Sequence, residues 1–115
     1  MVVKNYVPDA GDVVWVDFKP QAGHEQAGRR PAIVLSPRLY NEKAGLAVLC
    51  PITSHAKGYP FEVAIPSALP VRGVILADQL KSLDWRHRQV QRFGKLPASV
   101  LDAVRHRVAA LLGLS

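Results

Sequence analysis

Apolar residues in this chain come in short runs separated by clusters of glycine, proline, asparagine and serine, and no convincing helical period shows before residue 97. Punctuation of that kind dictates strands, because a strand buries a short run and must then turn. The run Val13, Val14, Trp15, Val16, Asp17, Phe18 follows the turn-forming Ala10, Gly11, Asp12 and stops at Pro20, which predicts the first strand. Residues 31–36 make the second, with Pro31 at the first position, where a strand tolerates proline, and residues 46–52 the third. In the fourth, Phe61, Val63 and Ile65 alternate onto one face, while the unbroken run 73–77 marks a central fifth strand. A sixth is expected at 90–93, after a basic stretch. Beyond Pro97, Leu101, Val104, Val108 and Leu111 fall at helical spacing, with Pro97 suited to the first turn and Gly113 to the end. The expected fold is mainly β, with a C-terminal helix packed across the sheet.

With 115 residues, 49% of them apolar and 21% charged, the chain can bury enough surface to offset the entropy of ordering. One compact domain over 1–115 is expected, without repeats, low-complexity segments or an internal linker. No apolar run approaches the roughly 20 residues of a membrane helix. Residues 1–9 lack the apolar stretch and small-residue site of a signal peptide, so the expected location is the cytoplasm, with no membrane partner. The single cysteine, Cys50, has no internal disulfide partner, and no Cys/His set has zinc spacing, so neither metal nor cofactor is expected. Cys50 itself reads as a small buried hydrophobe. Fifteen Lys and Arg against nine Asp and Glu give a formal charge of +6, which suits an anionic partner, either nucleic acid or an acidic protein segment.

Several segments in order carry a resemblance. They are Tyr6, Val7, Pro8, Asp9; Gly11 through Phe18; Glu25, Gln26, Ala27, Gly28, Arg29, Arg30, Pro31 and onward to Pro37; Tyr40, Asn41; Pro51, Ile52, Thr53; Lys57, Gly58, Tyr59, Pro60, Phe61, Glu62, Val63; and residues 73–82. Together they resemble the MazF toxins, the endoribonucleases of toxin–antitoxin pairs also called mRNA interferases. The specificity lies in the ordered set, which spans nearly the whole chain. The resemblance implies an SH3-like β-barrel, a symmetric homodimer, and metal-independent cleavage of single-stranded RNA at a short sequence, leaving 2′,3′-cyclic phosphate and 5′-hydroxyl ends. It also implies a cognate MazE-like antitoxin whose acidic tail covers the basic groove, and promoter DNA as a partner of the toxin–antitoxin complex only.

RNA cleavage without a metal uses the 2′-hydroxyl as nucleophile, so a protein has to accept its proton, stabilise the phosphorane and protonate the departing 5′-oxygen. A guanidinium suits the phosphorane because its fork of donors matches phosphate oxygens. By the resemblance that group is Arg30, with Thr53 positioning the phosphate and Glu25 accepting the proton or orienting Arg30. Taken singly, an arginine at a strand start is a solvated charge and a threonine is a good strand residue; their joint setting favours chemistry. Arg29 is assigned a phosphate contact or a surface role. His24 and His55 are of the residue type suited to acid–base work near neutral pH, and His55, two residues after Thr53, is assigned contact with RNA or solvent rather than catalysis. Lys57 and Lys81 match phosphate-binding positions, Gln79 has an amide able to read a base edge, and Asp78 serves as an RNA contact or a turn residue. Trp15 and Phe18 read as core or dimer contacts, and Tyr59 and Trp85 as candidates for RNA or antitoxin contact. The basic run 81–95 reads as a solvated face that can extend the field gathering RNA. Two rivals stay open: a non-catalytic toxin of the same fold that binds a protein such as DNA gyrase, and a nucleic-acid-binding regulator that leaves RNA whole.

Overall fold

A computed structural model describes residues 6–18, 28–69 and 71–114. Among these, the chain runs β1 (Asp12–Phe18), β2 (Gly28–Val34), α1 (Arg38–Ala44), β3 (Leu46–Thr53), β4 (Glu62–Ala64), β5 (Val74–Leu76), β6 (Lys81–Asp84), β7 (Gln91–Lys95) and α2 (Ala98–Leu111), with a 3₁₀ turn, Ala77–Gln79, between β5 and β6. The strands form one antiparallel sheet in the order β4-β5-β3-β2-β1-β7, and β6 also pairs with β3.

The sheet bends about β3. Its first half pairs with β6, Leu46 opposite Asp84 through Leu49 opposite Lys81, and its end pairs with β5, Ile52 opposite Ile75 and Thr53 opposite Val74. From Leu49 to Ile52 is three residues, whereas from Lys81 back to Ile75 is six. The surplus is the 3₁₀ turn Ala77–Gln79, which leaves the sheet and carries Asp78 and Gln79 outward. Hydrogen-bonded order ends at β4 and β7, so among the described residues no strand pairing closes the expected barrel. The mainly β fold with a C-terminal helix stands as expected.

Both faces of the sheet are buried. On one, Val14, Val16 and Phe18 of β1 meet Ala32, Val34, Ala47 and Leu49, closed over by Val7, Leu83 and Trp85. On the other, Val13, Ile33, Cys50, Ile52 and Ile75 lie against Val100, Leu101 and Val104 of α2. Two buried faces explain why β1, β2 and β3 read as near-continuous apolar runs instead of an alternation. The α2 stripe fades along the helix: Val104 is fully buried, Val108 partly, and Leu111 is 40% exposed. The helix outruns the sheet beneath it.

Two polar knots tie the edges. Asp12, 4% exposed, accepts the Tyr6 hydroxyl at 2.8 Å and the Asp9 N–H at 3.0 Å, and it faces Arg92 Nε at 3.3 Å and Lys95 Nζ at 3.2 Å. A carboxylate taken out of water is tolerable only with such partners. Burial, and next the bond to Asp12, push the Tyr6 phenol well above its ordinary range. In α1, the fully buried Asn41 accepts from Ser36 Oγ at 2.6 Å and donates to the carbonyls of Pro8 and Ser36, while its own carbonyl accepts from Trp85 Nε1 at 2.9 Å.

Three local features differ from the sequence expectation. β2 begins at Gly28, so Pro31 is its fourth residue and Arg30 lies inside the strand; β1 pairs with it that far, Phe18 opposite Gly28 and Val16 opposite Arg30. α1, too short to display a period, was unexpected. So was β6, whose strand character comes from its pairing with β3. No helix among the described residues is long and apolar enough to cross a membrane.

Candidate active site

β2 and β3 pair with Ala32 opposite Pro51 and Ile33 opposite Cys50. Two residues further along that register stand Arg30 and Thr53, on the face that Ala32 and Pro51 share. There the sheet opens into a cleft of about 470 Å³ lined by Arg30, Thr53, His55, Lys57, Tyr59, Glu62, Leu76 and Gln79. The first two lie just past the end of the β2–β3 ladder, the loop after β3 supplies the next three, and the 3₁₀ turn delivers Gln79.

Thr53 is held tightly. Its Oγ1 accepts the His55 N–H at 3.2 Å, which leaves the hydroxyl proton to be donated into the cleft. Behind it, Gly73 has φ +118°, and a Cβ there would stand 2.1 Å from the Thr53 carbonyl oxygen. Only glycine lets the chain enter β5 at that distance. Gln79 is partly buried, and its Oε1 is buried without a donor among the described residues. An acceptor left so is costly in a finished interior and suits a site that awaits a ligand N–H.

Of the residues singled out in the sequence, Arg30, Thr53, His55, Lys57 and Gln79 thus share one cleft, with Tyr59 beside them. Arg29 points to the other face of β2, where its Nη2 donates to the Gln89 carbonyl at 3.2 Å and to Gln91 Oε1 at 2.6 Å. Asp78 is exposed on the 3₁₀ turn, and Lys81 is partly buried in β6 opposite Leu49; neither lines the cleft. Glu25 and His24 lie outside the described residues. Phe18 is core at 2% exposure, whereas Trp15 is 38% exposed and stacks on Phe93 with ring centroids 4.8 Å apart. The basic run is largely engaged in structure: Arg86 lies over the Trp85 ring at 4.5 Å, Arg88 holds the Asp17 carbonyl, and Arg92 and Lys95 hold Asp12. The Cys50 thiol is pushed up to about 12 by burial, with Asp78 adding to it, which makes it inert.

Sequence reasoning did not single out Glu62 or Leu76 for the cleft. Leu76 reads as strand core, and Glu62 is the polar member of an alternating strand; only the folding back of the loop reveals either. Among the described residues no three His, Cys, Asp or Glu side chains gather as metal ligands.

A sequence profile described as PemK-like, MazF-like toxin of type II toxin-antitoxin system matches residues 9–112. The chain is 47% identical over 112 residues to the endoribonuclease toxin MazF of Escherichia coli K12, covering 97% of this chain and all of that one. Its fold superposes on the crystal structure of MazF from Deinococcus radiodurans with a TM-score of 0.90 at 59% identity, covering 95% of this chain and 99% of the other. On a MazE–MazF crystal structure from the same organism the TM-score is 0.87 at 58% identity, over 96% and 100% of the two chains. With a profile match over nearly its full length and relatives this similar in sequence and fold, the chain belongs to the PemK-like, MazF-like family of type II toxin–antitoxin toxins.

Proposed function

We propose that this chain, as one domain over 1–115, is the toxin of a type II toxin–antitoxin pair. It is an endoribonuclease that cuts single-stranded RNA at a short sequence, without a metal, in the cytoplasm. The observation that supports the site assignment is that Arg30 and Thr53, each two residues beyond the last β2–β3 pair, Ala32 opposite Pro51, line one cleft.

In the reaction the 2′-hydroxyl gives up its proton and its oxygen attacks phosphorus, the bond to the 5′-oxygen breaks, and that oxygen takes up a proton from solvent, so the products are a 2′,3′-cyclic phosphate and a 5′-hydroxyl. Arg30 neutralises the charge that gathers on the phosphorane oxygens, its fork of donors matching their geometry. Thr53 donates its hydroxyl proton to a non-bridging oxygen while its Oγ1 accepts the His55 N–H. Glu25 accepts the 2′-proton or orients Arg30. Lys57 binds a flanking phosphate, His55 contacts RNA, and Gln79 Oε1, which has no donor among the described residues, accepts an exocyclic amino group or ring N–H of a base. Arg29, Asp78 and Lys81 contact RNA outside the cleft.

The partner is a MazE-like antitoxin, as in the complexes formed by the Deinococcus radiodurans protein, and its acidic tail answers the toxin's +6 charge. The toxin works as a homodimer and meets promoter DNA only within the toxin–antitoxin complex.

Cleavage of a long defined RNA by the purified protein in EDTA tests the reading, with cut ends mapped for wild type, Arg30→Ala and Thr53→Ala. We expect discrete cuts with cyclic-phosphate ends, slowed at least about 100-fold by Arg30→Ala, the scale of losing a main charge-stabilising donor. Undiminished cutting by a folded Arg30→Ala protein would remove Arg30 from the site. Intact RNA under all conditions would favour a toxin acting on a protein.

A further inference from the structure

The loop between β3 and β4 brings His55, Lys57 and Tyr59 to the cleft, yet no strand supports it and residues 54–60 are exposed. Its downstream half is tied at several points: Arg107 Nε donates to the Pro60 carbonyl at 2.7 Å, Ala77 N–H to the Phe61 carbonyl at 3.0 Å, and Glu62 N–H to the Tyr59 carbonyl at 3.1 Å. The stretch bearing Lys57 is held differently. The Glu62 carboxylate reaches back and accepts two consecutive backbone donors, Lys57 N–H on Oε2 at 2.9 Å and Gly58 N–H on Oε1 at 3.0 Å. Gly58 has φ +84°, the left-handed conformation that turns neighbouring N–H groups toward one anion.

A carboxylate on the wall of a cleft that takes a polyanion is unfavourable on charge alone. Its geometry supplies the reason for its presence. We propose that Glu62 is a positioning residue for RNA binding: by fastening the Lys57 and Gly58 amides it fixes the loop so that Lys57 and Tyr59 face the substrate, and it thereby sets affinity and cut-site choice. This rests on the reading of the cleft as the RNA site.

The two alternatives for Glu62 differ in sign, which makes the test direct. If the carboxylate merely occupies an amide pair that a substrate phosphate would otherwise take, or only repels RNA, removing it tightens binding. If it fastens the loop, removing it weakens binding. Glu62→Ala, Glu62→Gln and Lys57→Ala would be compared with wild type on a short oligoribonucleotide containing one mapped cut site, reading KM and kcat, with NMR amide exchange at Lys57 and Gly58. We expect Glu62→Ala to raise KM on the order of tenfold, about the worth of one charge-assisted hydrogen bond, with kcat the smaller change and faster exchange at both amides. Glu62→Gln, which keeps one acceptor and the side-chain volume, should show a smaller rise in the same direction, and it carries the test if the alanine variant does not fold. An unchanged or lower KM in a folded Glu62 variant, while Lys57→Ala still raises KM, overturns the proposal alone. Unchanged KM in Lys57→Ala as well overturns the cleft reading and this proposal with it.

Discussion

At the scale of single residues the cleft depends on close approach. Gly73 passes within 2.1 Å, as measured from a hypothetical Cβ, of the Thr53 carbonyl oxygen, in a conformation side chains rarely adopt. Gly73→Ala should therefore cost roughly 1–3 kcal/mol in a urea denaturation series and slow cleavage as well, because the chain that must shift holds Thr53. Tyr6 makes a pH prediction. Its folded-state value lies above the ordinary value near 10, so the fold favours the neutral phenol; the contribution is full below pH 10 and is lost as pH climbs beyond it. Of the three tyrosines, one should stay un-ionised at alkaline pH in an absorbance titration until the protein unfolds, and Tyr6→Phe should remove that late step. Arg30, Thr53, Lys57 and Gln79 were legible as a set through their matching motifs. The separate fate of Arg29 was not, since adjacent strand residues face opposite ways only once the strand is known to extend back to Gly28.

At the scale of elements, the long apolar runs announced β1, β2, β3 and β5, and the helical spacing announced α2. The short elements stayed hidden. α1 spans seven residues, and its place is set by Asn41, whose side chain bonds Ser36 and Pro8 and whose carbonyl accepts from Trp85. Asn41→Ala should destabilise the protein by roughly 2–3 kcal/mol in urea denaturation, because it orphans several buried polar groups at once. β6 looked like part of a basic run, and only its register on β3 makes it a strand. The three-residue slip between β5 and β6 is likewise invisible in composition, yet it is what carries Gln79 to the cleft.

At the scale of the whole molecule, the +6 charge points to an anionic partner, but much of the basic run 81–95 is bound into the structure, so the field over the cleft depends on fewer cations than the count suggests. RNA affinity should fall linearly with salt on logarithmic axes, and Lys57→Ala should flatten the slope by about 0.7, one phosphate contact to a single strand; filter binding across a salt series measures it. By itself the sequence determined the class of fold and the terminal helix and named the residues proposed for chemistry, because burial periodicity and motif order are local properties. Only the tertiary structure decided which of those residues meet. Arg30 and Thr53 are 23 positions apart in the chain and come to line one cleft because β2 pairs with β3 just short of both, while Glu62 acquires its proposed role from a loop folding back upon it. Register and loop closure depend on pairing between distant segments, which no local pattern encodes.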